Sequence, residues 1–399
     1  MKPRDRVSLA EEFIYWNRGL RANLAVAAMA AFALILVAGT ANAAPIVSQT
    51  LGRFDHKAIV TINGSGFGTK TTAAPIVWDD ASGANILDKW SGAWPDASGP
   101  NGPASQTIYR VPQRGISLPH SNITRYIAGC HRDSGGANAG YDVMFWKTRT
   151  IALPSITYMS WYQRVDDAWV FGLGSPADDN FKIFDYSRGT DPFDASNWYI
   201  AYNDGPHNRS ALTDYIVNDD DDGVTRSIIS PDVNGNNAYW EIKSINPMAG
   251  TWAKIEVEVK HSSQNDGFIN LRENGILKIY YVGPTDKYAG SIRSMAIGGY
   301  SRGYGNANQW RYFADAYLDD TLARVVLANS PTLSTASIVE VQIPTAWSAS
   351  SISASVNLGK FTPGQTAYLF VVDSAGTPST VGTRVTVGAP SAPANLVVQ

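Results

Sequence analysis

The 399-residue sequence holds a single cysteine, Cys130. One thiol excludes an intrachain disulfide framework and any multi-cysteine zinc site. Charge is also scarce. Charged residues are 17% of the chain and the formal net charge is −3, so no basic footprint for nucleic acid exists. No stretch keeps helical amphipathic periodicity beyond a turn or two. A phosphate loop, a dinucleotide-binding fingerprint, a Ser-His-Asp order and a metalloprotease motif are all missing. So is a Glu-x-Asp-x-x-Glu carboxylate pair, which argues against a retaining glycoside hydrolase. What remains is apolar and ring-rich. Hydrophobic residues are 44% and aromatics 11%, enough for a large core, and 35 Gly with 21 Pro mark many turns. The balance predicts an all-β protein, and the length predicts two or three domains.

Residues 1–43 are expected to be a secretory signal peptide of bacterial type. Lys2, Arg4, Arg6, Arg18 and Arg21 precede an apolar run from Leu24 to Val37, and Ala41-Asn42-Ala43 fits the small-residue cleavage pattern. The run is short for a membrane span. The expected location is therefore secreted or cell-surface, with no membrane span after cleavage and no nucleic-acid partner.

Strand patterns follow. Ala253 to Lys260 alternates strictly, with Ile255, Val257 and Val259 on one side and Lys254, Glu256, Glu258 and Lys260 on the other. Period two predicts a strand with one buried and one wet face. Asn265-Asp266-Gly267 and Asn274-Gly275 are turn signals, so 268–273 and 276–281 complete a three-strand meander. Thr157 to Tyr162 is a further alternating run. From about Pro331 the chain becomes rich in Ser, Thr, Ala and Val, with short strands at Ser351–Val356, Thr366–Val372 and Thr383–Val387. That spacing suits a small Ig-like sandwich.

Ala58 to Thr69 (AIVTINGSGFGT) resembles the opening strand of IPT/TIG-type Ig-like domains, and the segments at 346–352 and 365–372 resemble later strands of the same domain. The resemblance implies one Ig-like domain in two pieces, 45–75 and 330–389, with 390–399 as a linker or tail. The long middle, 76–328, would be an insertion, tolerated because Ig loops lie at the surface. In that middle, Gly250-Thr251-Trp252, the alternating strand, Asp266-Gly267 and Asn274-Gly275 together resemble the concanavalin A-like jelly rolls, including laminin-G-like modules. Tyr158 to Tyr162, Asn180 to Phe184 and Asn197 to Tyr202 resemble polysaccharide lyases on that fold, most of all those of family 14. The fold class expected is all-β: a concanavalin A-like jelly-roll β-sandwich inserted in, or flanked by, a small Ig-like β-sandwich. Two departures bear on catalysis. The Gly-Gly-Lys-Leu-Pro-Gly-Leu loop is replaced by Asn180-Phe181-Lys182-Ile183. A lysine-bearing Tyr-Phe-Lys-Ala-Gly strand of related lyases reads Tyr312-Phe313-Ala314-Asp315-Ala316.

β-Elimination on a uronate needs a group to neutralise the carboxylate, a base for the C5 proton and an acid for the leaving oxygen. The candidates for catalysis are Lys182, Tyr199, Tyr202, His120 and Arg114, the last two from the segment Tyr109 to His120. Sugar rings stack their C–H faces on aromatic rings, with polar side chains fixing hydroxyls. Gln113, Trp161, Trp169, Arg188 and Trp198 are the expected substrate contacts, although half or more of the tryptophans should be core. His131, His207 and His261 read as surface residues. Asn218 to Gly223 (NDDDDG) is like the start of an EF-hand loop, but Ile229 stands where its bidentate Glu belongs. Asn218, Asp220 and Asp222 are thus a weak calcium motif, and no cofactor is required. The leading expectation is binding of an extracellular or cell-surface polysaccharide on a concave sheet face. A polysaccharide lyase acting on alginate or glucuronan, and a structural surface or adhesin component, are the alternatives.

Overall fold

The computed structural model describes residues 43–94, 108–112, 115–132, 141–167, 181–190, 192, 196–203, 213–219, 225–229, 250–286, 290–301 and 308–388. The expected signal peptide, Gln113, Arg114, Trp169, His207, Asp220 and Asp222 lie outside them. The described chain is built of strands, with two three-residue 3₁₀ turns. In chain order these are β1 (Ile46–Leu51), β2 (Ile59–Ser65), β3 (Val77–Asp79), β4 (Gly92–Trp94), β5 (Ile108–Arg110), β6 (Tyr126–Arg132), β7 (Tyr141–Thr150) and β8 (Ser155–Val165). Next come β9 (Phe181–Arg188), β10 (Ser196–Asn203), β11 (Thr213–Asp219), β12 (Thr225–Ile229), β13 (Ala253–His261), β14 (Phe268–Glu273), β15 (Ile276–Val282), β16 (Ile292–Ser301) and β17 (Asn308–Asp319). The last six are β18 (Arg324–Ala328), β19 (Val339–Val341), β20 (Ile343–Trp347), β21 (Ser351–Ser355), β22 (Thr366–Val372) and β23 (Thr383–Thr386).

The middle of the chain is a jelly-roll-type β-sandwich. A seven-stranded sheet in the order β12-β11-β10-β9-β16-β7-β4 faces an eight-stranded sheet in the order β15-β14-β13-β8-β17-β6-β5, with β3 also on β17. The meander β13-β14-β15 is antiparallel, and its last turn is the two-residue Asn274-Gly275. Both residues take positive φ, +50° and +78°, as a type I′ turn demands. A Cβ on Gly275 would also stand 2.4 Å from the Ala336 carbonyl oxygen, so only glycine fits between the meander and the chain that crosses it.

Alternation sets the core. Ile255, Val257 and Val259 of β13, Met159 and Trp161 of β8, and Phe313 and Leu318 of β17 meet Val143 and Phe145, Met295 and Ile297, Phe184 and Tyr186, and Trp198 and Ile200 from the other sheet. Trp161 stacks on Phe184 at 6.3 Å and Trp198 lies 5.4 Å from the same ring. Each such side chain contributes about 1.5–3 kcal/mol on burial.

The first and last described segments form a second, smaller sandwich. One sheet runs β1-β2-β21-β20 and the other β19-β18-β22-β23. Phe54, Ile62 and Phe67 from the first end pack with Leu327, Ile352, Leu369 and Val371 from the other. Its boundary differs from the sequence expectation. A jelly roll ending at 328 would take Ala323–Leu327 as one of its last strands, yet β18 pairs with β22 and β19. The chain leaves the large sandwich at Asp319 and Asp320 instead.

The small sandwich packs on part of the outer face of the eight-stranded sheet, and the chain around Ile116 and Leu118 packs on another part. Tyr158 and Tyr317 pack with Leu322, Val326, Val341 and Phe370. The side of β13 expected to be wet is therefore covered: Lys254 and Glu256 are each 5% exposed. Ion pairs tie the two layers. Lys70 Nζ lies 2.6 Å from Asp319, Arg324 Nη2 2.8 Å from Glu258 and Lys254 Nζ 3.3 Å from Glu340.

Candidate functional site

Among the described residues the small sandwich packs on the eight-stranded sheet, and the candidate surface is the outer face of the seven-stranded one. Its residues can be read from the ladder. One rung runs Gly92–Trp146–Ala296–Asp185–Tyr199 across β4, β7, β16, β9 and β10. At about 4.8 Å per strand it spans about 19 Å. The next rung carries Thr148, Ser294, Ser187 and Ser196. On the other side come Met144 paired with Gly298 and Lys182 paired with Ala201. The central strand β16 contributes the exposed Ile292 at its start and then Ser294, Ala296 and Gly298 to this face, so its middle is low.

Two groups rise from that floor. Lys182 Nζ donates to Asp185 Oδ2 at 3.1 Å, and Ser187 Oγ donates to Asp185 Oδ1 at 2.5 Å. The lysine side chain is 14% exposed and the carboxylate 4%. On the other flank lies the half-buried indole of Trp146. Its Nε1 and the Thr148 hydroxyl both donate to the Thr190 carbonyl, at 3.1 and 2.6 Å. Ser294 Oγ to Gly189 O and Ser187 Oγ to Pro192 O, at 3.5 and 3.4 Å, fasten the same segment. The hydroxyl rung therefore serves to hold the chain that follows β9 down across the sheet. Trp146, Thr148 and Lys182 stay reachable beside it.

Lys182 and Asp185 meet because of an irregularity. An odd spacing puts two residues of a regular strand on opposite faces. On β9, Phe184 pairs with Ile200 and Lys182 with Ala201, so Ile183 is an extra residue in the ladder. Such a bulge re-aims the side chains beyond it. Asp185 and Ser187 were invisible as functional groups to a reading by alternation.

The expected site residues do not converge as a set. In the backbone ladder Tyr199 pairs with Asp185 and Tyr202 with Phe181, and the side chains of both tyrosines are outside the described atoms. Arg188 is in phase with Tyr186 and pairs with Arg293, away from Lys182. Trp161 and Trp198 are fully buried in the core and are not available to a sugar. They bury because bulky rings fill the space between the two sheets. Trp198 Nε1 donates to the Thr285 carbonyl at 3.0 Å and Trp161 Nε1 to Gln163 at 3.0 Å, which removes the cost of burying their donors.

His120 lies on the far side of the molecule. It is buried, with Nε2 2.8 Å from Asp315 Oδ2 and its ring edge-on to Tyr162 at 5.7 Å. Asp315 occupies the altered lyase strand in a bulge of β17, at φ +49°. The neighbouring Tyr162 donates to Glu340 of the small sandwich, so this cluster sits at the joint between the two layers. His261 is likewise buried rather than at the surface. Its ring stacks on Tyr186 at 4.5 Å, and desolvation pushes its pKa down to about 3. Asn218 lies on β11 opposite Arg226, and its side chain is outside the described atoms, as is that of His131. Among the described residues no group of three His, Cys, Asp or Glu side chains could hold a metal ion. Among them too, no helix is long and apolar enough to cross a membrane.

No protein-family model and no curated protein matches the chain. Solved structures do. An endo-β-1,4-glucuronan lyase from the fungus Trichoderma reesei is similar at a TM-score of 0.41 and 13% identity, over 59% of this chain and 93% of that one. The alginate lyase Aly36B is similar at 0.36 and 14%, over 66% and 98%. The carbohydrate recognition domain of Emp47p is similar at 0.33 and 10%, over 55% and 89%.

Proposed function

We propose that the protein binds an acidic polysaccharide along the outer face of the seven-stranded sheet. The observation that carries this reading is one face holding a half-buried indole, Trp146, and a partly exposed cation, Lys182, across a floor of Ala296 and Gly298. The indole offers a flat surface for the C–H face of a sugar ring, and the ammonium offers a partner for a ring carboxylate. The signal-like N-terminus supports an extracellular or cell-surface polymer. Titration of the full chain with polyuronates and with a neutral glucan tests the reading. Saturable binding of a polyuronate that weakens with salt, and that Lys182→Gln and Trp146→Ala each reduce, is the expected result. Equal binding to both polymers, or none to either, overturns it.

A second reading is catalytic. Lys182 and Tyr199 stand on adjacent strands, β9 and β10, and a base and an acid of β-elimination would have to lie side by side. Lyase activity would release unsaturated products with a new ultraviolet absorbance. Turnover lost in Lys182→Ala supports the reading, and no absorbance rise on alginate or glucuronan removes it. A purely structural surface role would leave both polymers unbound.

A further inference from the structure

Arg311 carries its charge inside the large sandwich. It lies on β17 in phase with Phe313, pairs with Val165 and Gly129, and is 1% exposed. Burying a guanidinium is costly unless its donors are met. Here they reach across the core to the other sheet. Nη2 donates to the Lys182 carbonyl at 2.6 Å and Nη1 to the Gly299 carbonyl at 2.8 Å. Those two carbonyls belong to the place where the ladder between β9 and β16 is broken. Ile297 pairs with Phe184 and the next pair is Ser301 with Phe181, so three residues of β16 stand against two of β9. Lys182 and Gly299 both lie in that gap.

A bulge leaves backbone groups without ladder partners, and buried ones must be met some other way. The planar fork of arginine meets two acceptors at a fixed separation, which an ammonium does not. The fork therefore sets how the two irregular strands stand to each other and how β9 is turned at Lys182. The fit beside the lysine is equally close: a Cβ on Gly299 would stand 2.8 Å from the Lys182 Cβ. The lysine stem thus passes over a glycine, and its Nζ reaches Asp185 Oδ2 at 3.1 Å. We propose that Arg311 is a positioning residue for Lys182: clamping both irregular strands from within the sandwich, it aims the lysine onto the outer face of the seven-stranded sheet. The proposal rests on Lys182 being the cation that meets the acidic polymer, and it adds a residue that never touches that polymer.

Polyuronate titrations of the full chain at low and high salt, with urea curves to show that each variant is folded, test this. Arg311→Met should weaken binding by about tenfold or more, the worth of a charge-assisted hydrogen bond and the loss expected for Lys182→Gln. It should also flatten the salt dependence as Lys182→Gln does. In the double variant the losses should not add, since both remove the same contact. Arg311→Lys keeps the buried charge but not the fork. It should fall between wild type and Arg311→Met, and it carries the same comparison if the methionine variant does not fold. Val257→Ala, a core truncation on β13, should lower stability and leave affinity unchanged. Full affinity in every folded Arg311 variant, beside a weakened Lys182→Gln, overturns the proposal and leaves polymer binding at Lys182 standing. Losses that add in the double variant also overturn it, because Arg311 would then be shaping the face generally. No binding by the wild type removes the polymer from this face altogether, and the role of Arg311 with it.

Discussion

The indole of Trp146 lies flat against Gly92 on the neighbouring strand: a Cβ at Gly92 would stand 2.1 Å from the ring. Glycine is required there by space, not by backbone angle. The contact fixes the indole against the sheet, where it stays half-buried. Gly92→Ala should lift the ring, at about 1–3 kcal/mol for an overpacked contact. It should also lower polyuronate affinity. Denaturant midpoints and binding titrations measured on the same preparation check both, and an unchanged affinity would detach Trp146 from the site.

Lys70 and Asp319 form the most enclosed ion pair between the two layers, with side chains 1% and 2% exposed. Lys70 also donates to the Ala73 carbonyl at 2.8 Å, and Tyr317 donates to Asp319 at 2.8 Å. Burial pushes the Asp319 carboxyl upward, and Lys70 pulls against it. Removing only the lysine would strand a buried carboxylate. Lys70→Met is expected to cost about 3–5 kcal/mol, and the double variant Lys70→Met/Asp319→Leu much less. Urea unfolding of the three proteins gives the comparison, and additive losses would contradict it.

Two buried groups give stability opposite slopes with pH. His261 is driven to about 3 by desolvation, with Asp286 opposing and Arg149 and Arg293 adding to the effect. The unfolded chain binds this proton near 6.5, so stability is lost as pH falls from 6.5 toward 3, by up to about 5 kcal/mol. Glu273 is raised to about 7 by desolvation, with Lys278 opposing. Here the folded state holds the proton more tightly, so stability is full below about 4.5 and declines as pH rises to 7, by up to about 3 kcal/mol. Glu273→Gln should therefore stabilise the protein at pH 8 and leave it unchanged at pH 4. Urea midpoints at the two values test this, and equal shifts at both would refute the assignment.

Alternation along Ala253–His261 made the all-β class and the jelly-roll meander readable, because a strand buried on one side writes its period into the sequence. The same pattern misled about the other side. Polar residues at Lys254, Glu256 and Glu258 look wet, but a second sandwich can cover a polar face if it brings partners, and Arg324 and Glu340 do so. Those partners lie 66 and 86 residues away, beyond any local signal. The Lys182–Asp185 pair was hidden for a different reason. One extra residue, Ile183, reverses the parity of everything before it, and nothing in the composition of that strand announces a bulge.

The tryptophans separate core from surface most directly. Trp198 is fully enclosed between Phe184 and Tyr186, with ring centroids at 5.4 and 5.3 Å. Trp198→Ala should cost about 3–5 kcal/mol through the cavity it leaves. Below its unfolding temperature the variant should still bind polyuronate normally. Trp146 is only half-buried, so Trp146→Ala should cost less stability and most of the affinity. Binding isotherms and urea curves for both variants decide the matter. If Trp198→Ala lost affinity while remaining folded, the ligand would have to reach the interior of the sandwich, and the outer face of the seven-stranded sheet would be the wrong place to look.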